Sequence, residues 1–469
     1  MMQRKTTQTT LTTQQKALEI NLDEFKYGTL VEIGAGQETA RQFFSAGAAA
    51  GTVAKTMSAY DMQISDVIYG KAGAYVSRER LEQMLTREFS LLTERLANTR
   101  TKTTQFFSYA ATVTAKSFKQ KNECHGWVGI HLQLYPEAPP SEIILHVRML
   151  DKDNQSQADA LGILGVNLIY GAYYYKDNPK KIIESLLDNV DSTRLEINLI
   201  NFSGPYFTEV NNRLMNLHLV HSWCCRAVMF DADGASIVPA SALRKKDVLV
   251  MRGSFKPPTK VHVDMSNAAL EQFKHVGGLS GRGILSVAEI TMSELASDTE
   301  QDDASFLARV DLLVKLGFHV LISDYLRFFR LRSWIRNYTE NHIGIVLSAH
   351  DLKHLFDESF YDGLEGGILA AMGKLFSDDT NVFVYPAIID GELITLDNAI
   401  VPEKVKFLLQ HLVANKSMIA IENYREENMC IDGKDLIKKI SAGRGDWEDA
   451  IPAEVATEII EKHLFGFRG

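Results

Sequence analysis

Between Arg78 and Ala97 the apolar residues fall at Leu81, Met84, Leu85, Phe89, Leu92 and Leu96, with charged and polar residues between them. Steps of three and four put these positions on one stripe of a 3.6-residue period, so the spacing predicts an amphipathic helix with one buried face. Glu38 to Phe44 carries a shorter version of the same pattern. Elsewhere the chain is β-rich. Trp127 to Leu134 and Ile143 to Met149 are separated by Tyr135-Pro136-Glu137-Ala138-Pro139-Pro140-Ser141, where the prolines end any ladder, and this predicts an antiparallel pair. A first strand is expected at Thr29 to Ile33, with more at Arg194 to Asn201 and at Leu217 to Phe230. Residues 1–17, rich in Thr and Gln, are expected to be a flexible tail, and residues 18–245 an α+β domain.

Beyond Lys246 the pattern changes. An apolar strand, Val248 to Met251, runs into a Gly/Pro loop and then a helix, which is the opening of a doubly wound α/β unit. Strands expected at His319 to Ser323, Ile343 to Leu347 and Val382 to Tyr385 alternate with helical stretches, giving residues 246–469 a Rossmann-like parallel sheet. Residues 293–305 carry Glu294, Asp298, Glu300, Asp302 and Asp303 with few apolar residues, the composition of an exposed acidic loop. A chain of 469 residues exceeds what one core supports, in keeping with two domains.

Charge narrows the partners. The formal net charge is −9, so nucleic acid and anionic membranes are not expected to bind this surface. No apolar core of a signal peptide follows Arg4 and Lys5, and no run of eighteen apolar residues occurs. The four cysteines, Cys124, Cys224, Cys225 and Cys430, match neither a disulfide framework nor a paired zinc motif. A cytoplasmic protein is expected. A homo-oligomer is expected from Tyr170 to Tyr175 and the Ala/Gly-rich segment after Phe44, read as apolar and small-residue surface.

The most informative segment is Val248-Leu249-Val250-Met251-Arg252-Gly253-Ser254-Phe255-Lys256-Pro257-Pro258-Thr259-Lys260-Val261-His262. A glycine at a strand end lets backbone approach a triphosphate, and a helix starting near His262 offers unpaired N–H groups and a positive dipole end. The segment resembles the signature of the nucleotidylyltransferase superfamily, and within it the nicotinamide and nicotinate mononucleotide adenylyltransferases. Gly253, Ser254, Phe255, Pro257, Thr259 and His262 fall in step, while Lys256 stands where the family carries Asn or Asp. The resemblance implies ATP and Mg²⁺ as cofactors and AMP transfer to a mononucleotide. It implies His262 as catalytic donor to a phosphate, and contacts from Gly253, Ser254, Phe255, Lys256 and Thr259. The family's second signature is met in shortened form at Ile440-Ser441-Ala442-Gly443-Arg444, which makes Arg444 the expected phosphate gripper.

Stretches along the rest of the chain, among them Glu32 to Gln37, Asn122 to Trp127 and Leu364 to Leu369, resemble a bacterial family. Its members carry nicotinamide-nucleotide adenylyltransferase or TonB-dependent receptor labels, and the receptor label does not suit this composition. A noncatalytic nucleotide-sensing or self-assembling protein that keeps the fold stands beside the enzymatic reading. The unexplained first domain favours it.

Other motifs have plainer readings. Glu32-Ile33-Gly34-Ala35-Gly36-Gln37 resembles the first glycine motif of Rossmann-like methyltransferases, yet no acidic residue follows at ribose distance, so a tight turn is expected. Asp231-Ala232-Asp233-Gly234 reads as a hairpin turn. On a strand His218 and Cys224 would face away from His221 and Cys225, which disfavours zinc. His350 and His354 stand at helical spacing, and Arg327, Arg330, Arg332 and Arg336 read as a basic helix face. No metal site is expected from these residues.

Overall fold

A computed structural model describes residues 10–468 apart from 97, 101, 115–123, 297–302, 378 and 444. The chain divides into two compact units, residues 1–225 and 226–469. The protein is of the mixed α/β class, and parallel pairing dominates the sheet of the second unit.

In the first unit α1 (Thr13–Asn21), β1 (Lys26–Gly34), α2 (Glu38–Ala46), β2 (Val53–Met57), α3 (Met62–Tyr69) and α4 (Arg78–Leu96) come first. They are followed by β3 (Gln105–Val113), β4 (Cys124–Leu132), β5 (Ser141–Met149), α5 (Asn154–Tyr174), α6 (Pro179–Ser185), β6 (Leu195–Ser203) and α7 (Asn212–His221). The six-stranded sheet has the order β2-β1-β3-β4-β5-β6. Pairing is parallel from β2 to β3 and antiparallel from there to β6, so the expected β4–β5 pair is present.

The stripe expected on α4 is its buried face, where Leu81, Met84 and Leu85 pack with Val31, Ala110 and Ile144. The alternate residues of β3 face a second helical layer, with Phe107 edge-on to Tyr173 of α5. This layer is why α5 is apolar all round rather than amphipathic. Gly165 allows its close approach, since a Cβ there would stand 2.3 Å from the Thr39 hydroxyl and 2.6 Å from that of Tyr109. Tyr170 and Tyr173 are thereby buried, so they supply no apolar surface for association.

Three expectations are corrected here. Residues 13–17 belong to α1 rather than to a tail, because buried Lys16 is held by Asn167 Oδ1 at 2.8 Å and Asp188 Oδ2 at 2.7 Å. Leu217 to His221 is helical, capped by the Asn211 side chain, and the chain then turns through Trp223 at φ 60° before a strand can begin at Ala227. The division between units falls after Cys225, some way before Lys246, because the strand beginning at Ala227 pairs into the second sheet.

The second unit opens with β7 (Ala227–Phe230), β8 (Ser236–Ile237), α8 (Pro239–Leu243), β9 (Asp247–Arg252), α9 (Lys260–Phe273), β10 (Ile284–Thr291) and α10 (Met292–Ala296). It continues through α11 (Asp303–Lys315), β11 (His319–Ser323), α12 (Phe328–Arg336), β12 (Ile343–Ser348), α13 (Ala349–Leu355), α14 (Gly367–Leu375) and β13 (Thr380–Tyr385). A small hairpin, β14 (Ala387–Ile389) with β15 (Glu392–Ile394), precedes α15 (Lys406–Ala414), β16 (Met418–Ala420), α16 (Gly433–Ser441) and α17 (Ala453–Glu461). The acidic stretch expected to be a loop ends α10 at one side and starts α11 at the other, with 297–302 outside the described residues.

The eight-stranded sheet runs β16-β13-β12-β9-β10-β11-β7-β8. All neighbours from β16 to β11 are parallel, and β7 and β8 finish the edge in antiparallel pairing. The chain leaves central β9 for β10 and β11 on one side, then crosses to β12, β13 and β16 on the other. This is the doubly wound order, with its switch point between β9 and β12. Both faces are covered. Val248 and Val250 pack with Leu331, Trp334, Ala371 and Met372 of α12 and α14, while Leu249 and Phe273 of α9 close on Gly344 from the other side.

Candidate functional site

Strand β9 ends at Arg252, whose guanidinium grips Glu289 of β10 through Nε to Oε2 at 2.6 Å and Nη2 to Oε1 at 2.9 Å. The Ser323 hydroxyl of β11 donates to the same carboxylate at 2.5 Å. This network, with Glu289 and Ser323 fully buried and Arg252 mostly so, fixes the carboxyl ends of three adjacent strands. It also engages the acid that a dinucleotide fold keeps open at the end of its second strand.

Gly253 continues the ladder, donating its N–H to Glu289 O at 3.1 Å. A side chain there would meet the Phe255 ring at 3.0 to 3.2 Å, so the glycine makes room for Phe255 rather than for a triphosphate. Phe255 has φ 45° and is completely buried, its ring 4.9 Å from that of His262. It supports the loop from beneath, which corrects its expected role as a ligand contact. Ser254, Lys256 and Pro257 emerge on the other side.

The helix that follows starts with Thr259 in extended geometry as the N-cap. His262 Nδ1 accepts the Thr259 backbone N–H at 3.0 Å and lies 2.8 Å from the Thr259 hydroxyl. Threonine and the residue three positions on thus cap one another, with imidazole in place of the usual carboxamide or carboxylate. The N–H groups of Lys260 and Val261, in the first turn, have no acceptor within α9. Burial lowers the His262 pKa to about 4, so the ring is neutral at physiological pH.

A cavity of about 890 Å³ opens at this point. Ser254, Lys256, Val261 and His262 form its first wall, and Ser348 at the end of β12 with His350, and Tyr385 at the end of β13 with Pro386 to Ile388, form the second. Glu294 and the segment Met429 to Gly433 complete it. It therefore lies outside the carboxyl ends of the parallel strands, at the switch point where α/β sheets bind ligands. Of the expected contacts, Ser254, Lys256 and His262 line the cavity. Gly253, Phe255 and Thr259 stand behind it, and Arg444 lies outside the described residues.

Sequence reasoning passed over the second wall. Ser348 caps α13 by accepting the His350 N–H at 3.2 Å, while Asp351 Oδ2 accepts the Ser348 N–H at 3.0 Å. That Ser-x-x-Asp spacing after an apolar run was the available signal. Tyr385 carried no signal; its hydroxyl donates to Asp264 of α9 at 2.6 Å, and burial with this neighbouring carboxylate raises its pKa.

The remaining motifs are structural. The N-terminus of α2, where the first glycine motif would place a ligand, is taken by Glu32, whose carboxylate accepts from the N–H groups of Thr39 and Ala40, each at 3.3 Å. Asp231 Oδ1 accepts from Asp233 and Ala235 N–H within the β7–β8 turn. His218 lies 3.2 Å from Glu184, and Cys224 and Cys225 are buried. His354 packs edge-on against Phe360, away from the cavity lining that holds His350. Arg332 and Arg336 do not form a solvated face; they donate to Ser377 O and to Thr339 O and Asn341 O. Among the described residues no helix is long and apolar enough to cross a membrane, and no three His, Cys, Asp or Glu side chains gather as a metal ligand set.

No protein-family model matches the chain, and no curated protein matches it. Among solved structures it is similar to a competence-damaged protein (CinA) superfamily protein from Enterobacter cloacae, at 12% identity and TM-score 0.26, over 36% of this chain and 97% of that one. A protein of the same superfamily from Klebsiella pneumoniae gives 10% identity and TM-score 0.27, over 36% and 99%. The competence/damage inducible protein CihA from Agrobacterium tumefaciens gives 16% and 0.24, over 34% and 93%. What the site can do is read from its own geometry.

Proposed function

We propose that the second unit binds a nucleotide by its phosphates in the crevice beyond β9 and β12, and that its reaction is AMP transfer from ATP to a mononucleotide. The supporting observation is the coincidence of the Ser254–His262 loop and helix start with the switch-point cavity. The first-turn N–H groups of α9, the Lys256 ammonium and His262 Nε2, which makes no hydrogen bond to the described residues, would hold the phosphates. They would stabilise charge as the mononucleotide phosphate attacks the α-phosphorus of ATP and pyrophosphate leaves. The carboxylates of Glu294 and Asp432 on the cavity lining suit a magnesium ion, which would neutralise phosphate charge when bound.

One observation favours a noncatalytic nucleotide sensor. Among the described lining residues Lys256 is the only Lys or Arg, set against Glu294 and Asp432, while two bound phosphate substrates bring several negative charges together. Titration calorimetry with ATP and Mg²⁺, followed by a pyrophosphate-release assay with nicotinamide or nicotinate mononucleotide, separates the two. ATP is expected to bind, with His262→Ala weakening it about tenfold or more, the loss of one preorganised donor. Absence of binding at millimolar ATP removes the nucleotide reading. Binding without pyrophosphate above background leaves the sensor.

A further inference from the structure

A backbone N–H can only donate, so the nitrogen it addresses must present a lone pair. At the start of α9 the Thr259 N–H stands 3.0 Å from Nδ1 of His262, with the Thr259 hydroxyl at 2.8 Å from the same atom. The single proton of the neutral ring is then on Nε2, which makes no hydrogen bond to the described residues, and the His262 side chain lines the cavity. The ring is held in place from behind by Phe255.

We propose that Thr259 is a positioning residue that fixes His262 as the Nε2–H tautomer, a neutral donor offered to a phosphate oxygen in the cavity. The proposal rests on the nucleotide reading of this site for its ligand, but the tautomer itself is a property of the ligand-free protein. A neutral donor has two consequences. It recognises phosphate without adding a charge that titrates near neutrality, and it does not serve as a general acid that must first be protonated. The other charged and titratable groups on the cavity lining are Lys256 on the same loop, Glu294 in α10, His350 in α13, Tyr385 in β13, and Cys430 and Asp432 before α16. None of these stands between Thr259 and Nδ1.

The test is a long-range ¹H–¹⁵N correlation spectrum of the full-length, ¹⁵N-histidine-labelled protein, with His262 assigned from the His262→Gln variant. The expected pattern is an Nε2-protonated neutral ring that does not change from pH 5.5 to 8.5. An Nδ1-protonated ring, or one that titrates with a midpoint near 6.5, overturns the proposal. Thr259→Val removes the hydroxyl and Thr259→Ser restores it. The valine variant keeps the backbone N–H, so its ring is expected to stay Nε2-protonated. Loss of the hydroxyl contact is expected to loosen the ring and weaken ATP binding about three- to tenfold at pH 7, which serine restores. If valine lowers only the melting temperature and leaves ATP affinity unchanged, Thr259 is a helix cap and nothing more. If the spectrum is as expected and ATP does not bind, the nucleotide reading falls while the tautomer assignment stands.

Discussion

At the scale of single residues, the protein uses histidine in a state that ordinary titration would not give it. His146 is buried on β5, its Nδ1 donating to Asn198 Oδ1 at 2.6 Å and its Nε2 3.2 Å from His125 Nδ1. Burial, with His125 and Arg148 near, lowers its pKa to about 3 from the usual 6.5. His262, in the other unit, is lowered to about 4 by burial. As pH falls below 6.5 the unfolded chain takes up these protons and the folded chain does not, so stability declines on the acid side. Each histidine costs its own unit about 1.4 kcal/mol per pH unit, from roughly pH 6 down to its folded-state value. Urea unfolding at pH 5 and pH 6 should show this, and His146→Gln should remove about that much from the slope of the first unit. A slope that the substitution does not change would mean that the ring is protonated in the folded state. Gly253 teaches a related lesson. Its presence at the strand end was legible in the sequence, but its reason was not, because the Phe255 ring that needs the space reaches it only through the left-handed turn of the intervening loop.

At the scale of elements, the edge strand β6 shows why local pattern misread the segment after it. An edge exposes a row of unpaired main-chain groups, and here α7 supplies what a seventh strand would have supplied. Asn216 accepts the Ile200 N–H at 3.0 Å and donates to Ile200 O at 2.7 Å, and Asn212 does the same for Phe202 at 2.7 and 2.9 Å. Two asparagines one helical turn apart thus copy the spacing of alternate strand residues. Leu217 to Phe230 looks β-rich when read alone, but its first part is committed to a helix by that pairing and by the Asn211 cap. Asn216→Leu should cost about 1–3 kcal/mol for each of the Ile200 groups it strands. Asn211→Ala, the loss of a cap, should cost about 1 kcal/mol. Chemical denaturation that ranks the leucine variant as the milder of the two would refute the edge-capping role.

At the scale of the whole molecule, each unit carries its own sheet and its own core, so each should unfold as a cooperative body. Residues 226–469 are expected to fold when expressed alone and to bind ATP as the full chain does. A fragment beginning at Lys246 should not. It would lose Ala227, Met229 and Leu243 from the core and uncover the β11 edge that β7 protects. Circular dichroism melting of the two fragments gives the comparison. Equal stability would place the boundary at Lys246, where composition alone suggested it.

What the sequence determined by itself were the features that depend on neighbours along the chain. The stripe of α4, the β4–β5 pair, the hairpin at Asp231 and the strand, loop and helix from Val248 to His262 follow from period, turn chemistry and capping, whose energetics are local. The tertiary structure alone decided what depends on distant burial. It placed β7 in the second sheet, turned Leu217 to His221 into a helix, enclosed α5 and Lys16, and buried Phe255 beneath its own loop. The cavity belongs to the same class, because Ser254, Ser348, Tyr385 and Cys430 line one cavity only once parallel strands from separate parts of the chain are in register. Register is set by which apolar faces are buried together, and no single segment contains that information.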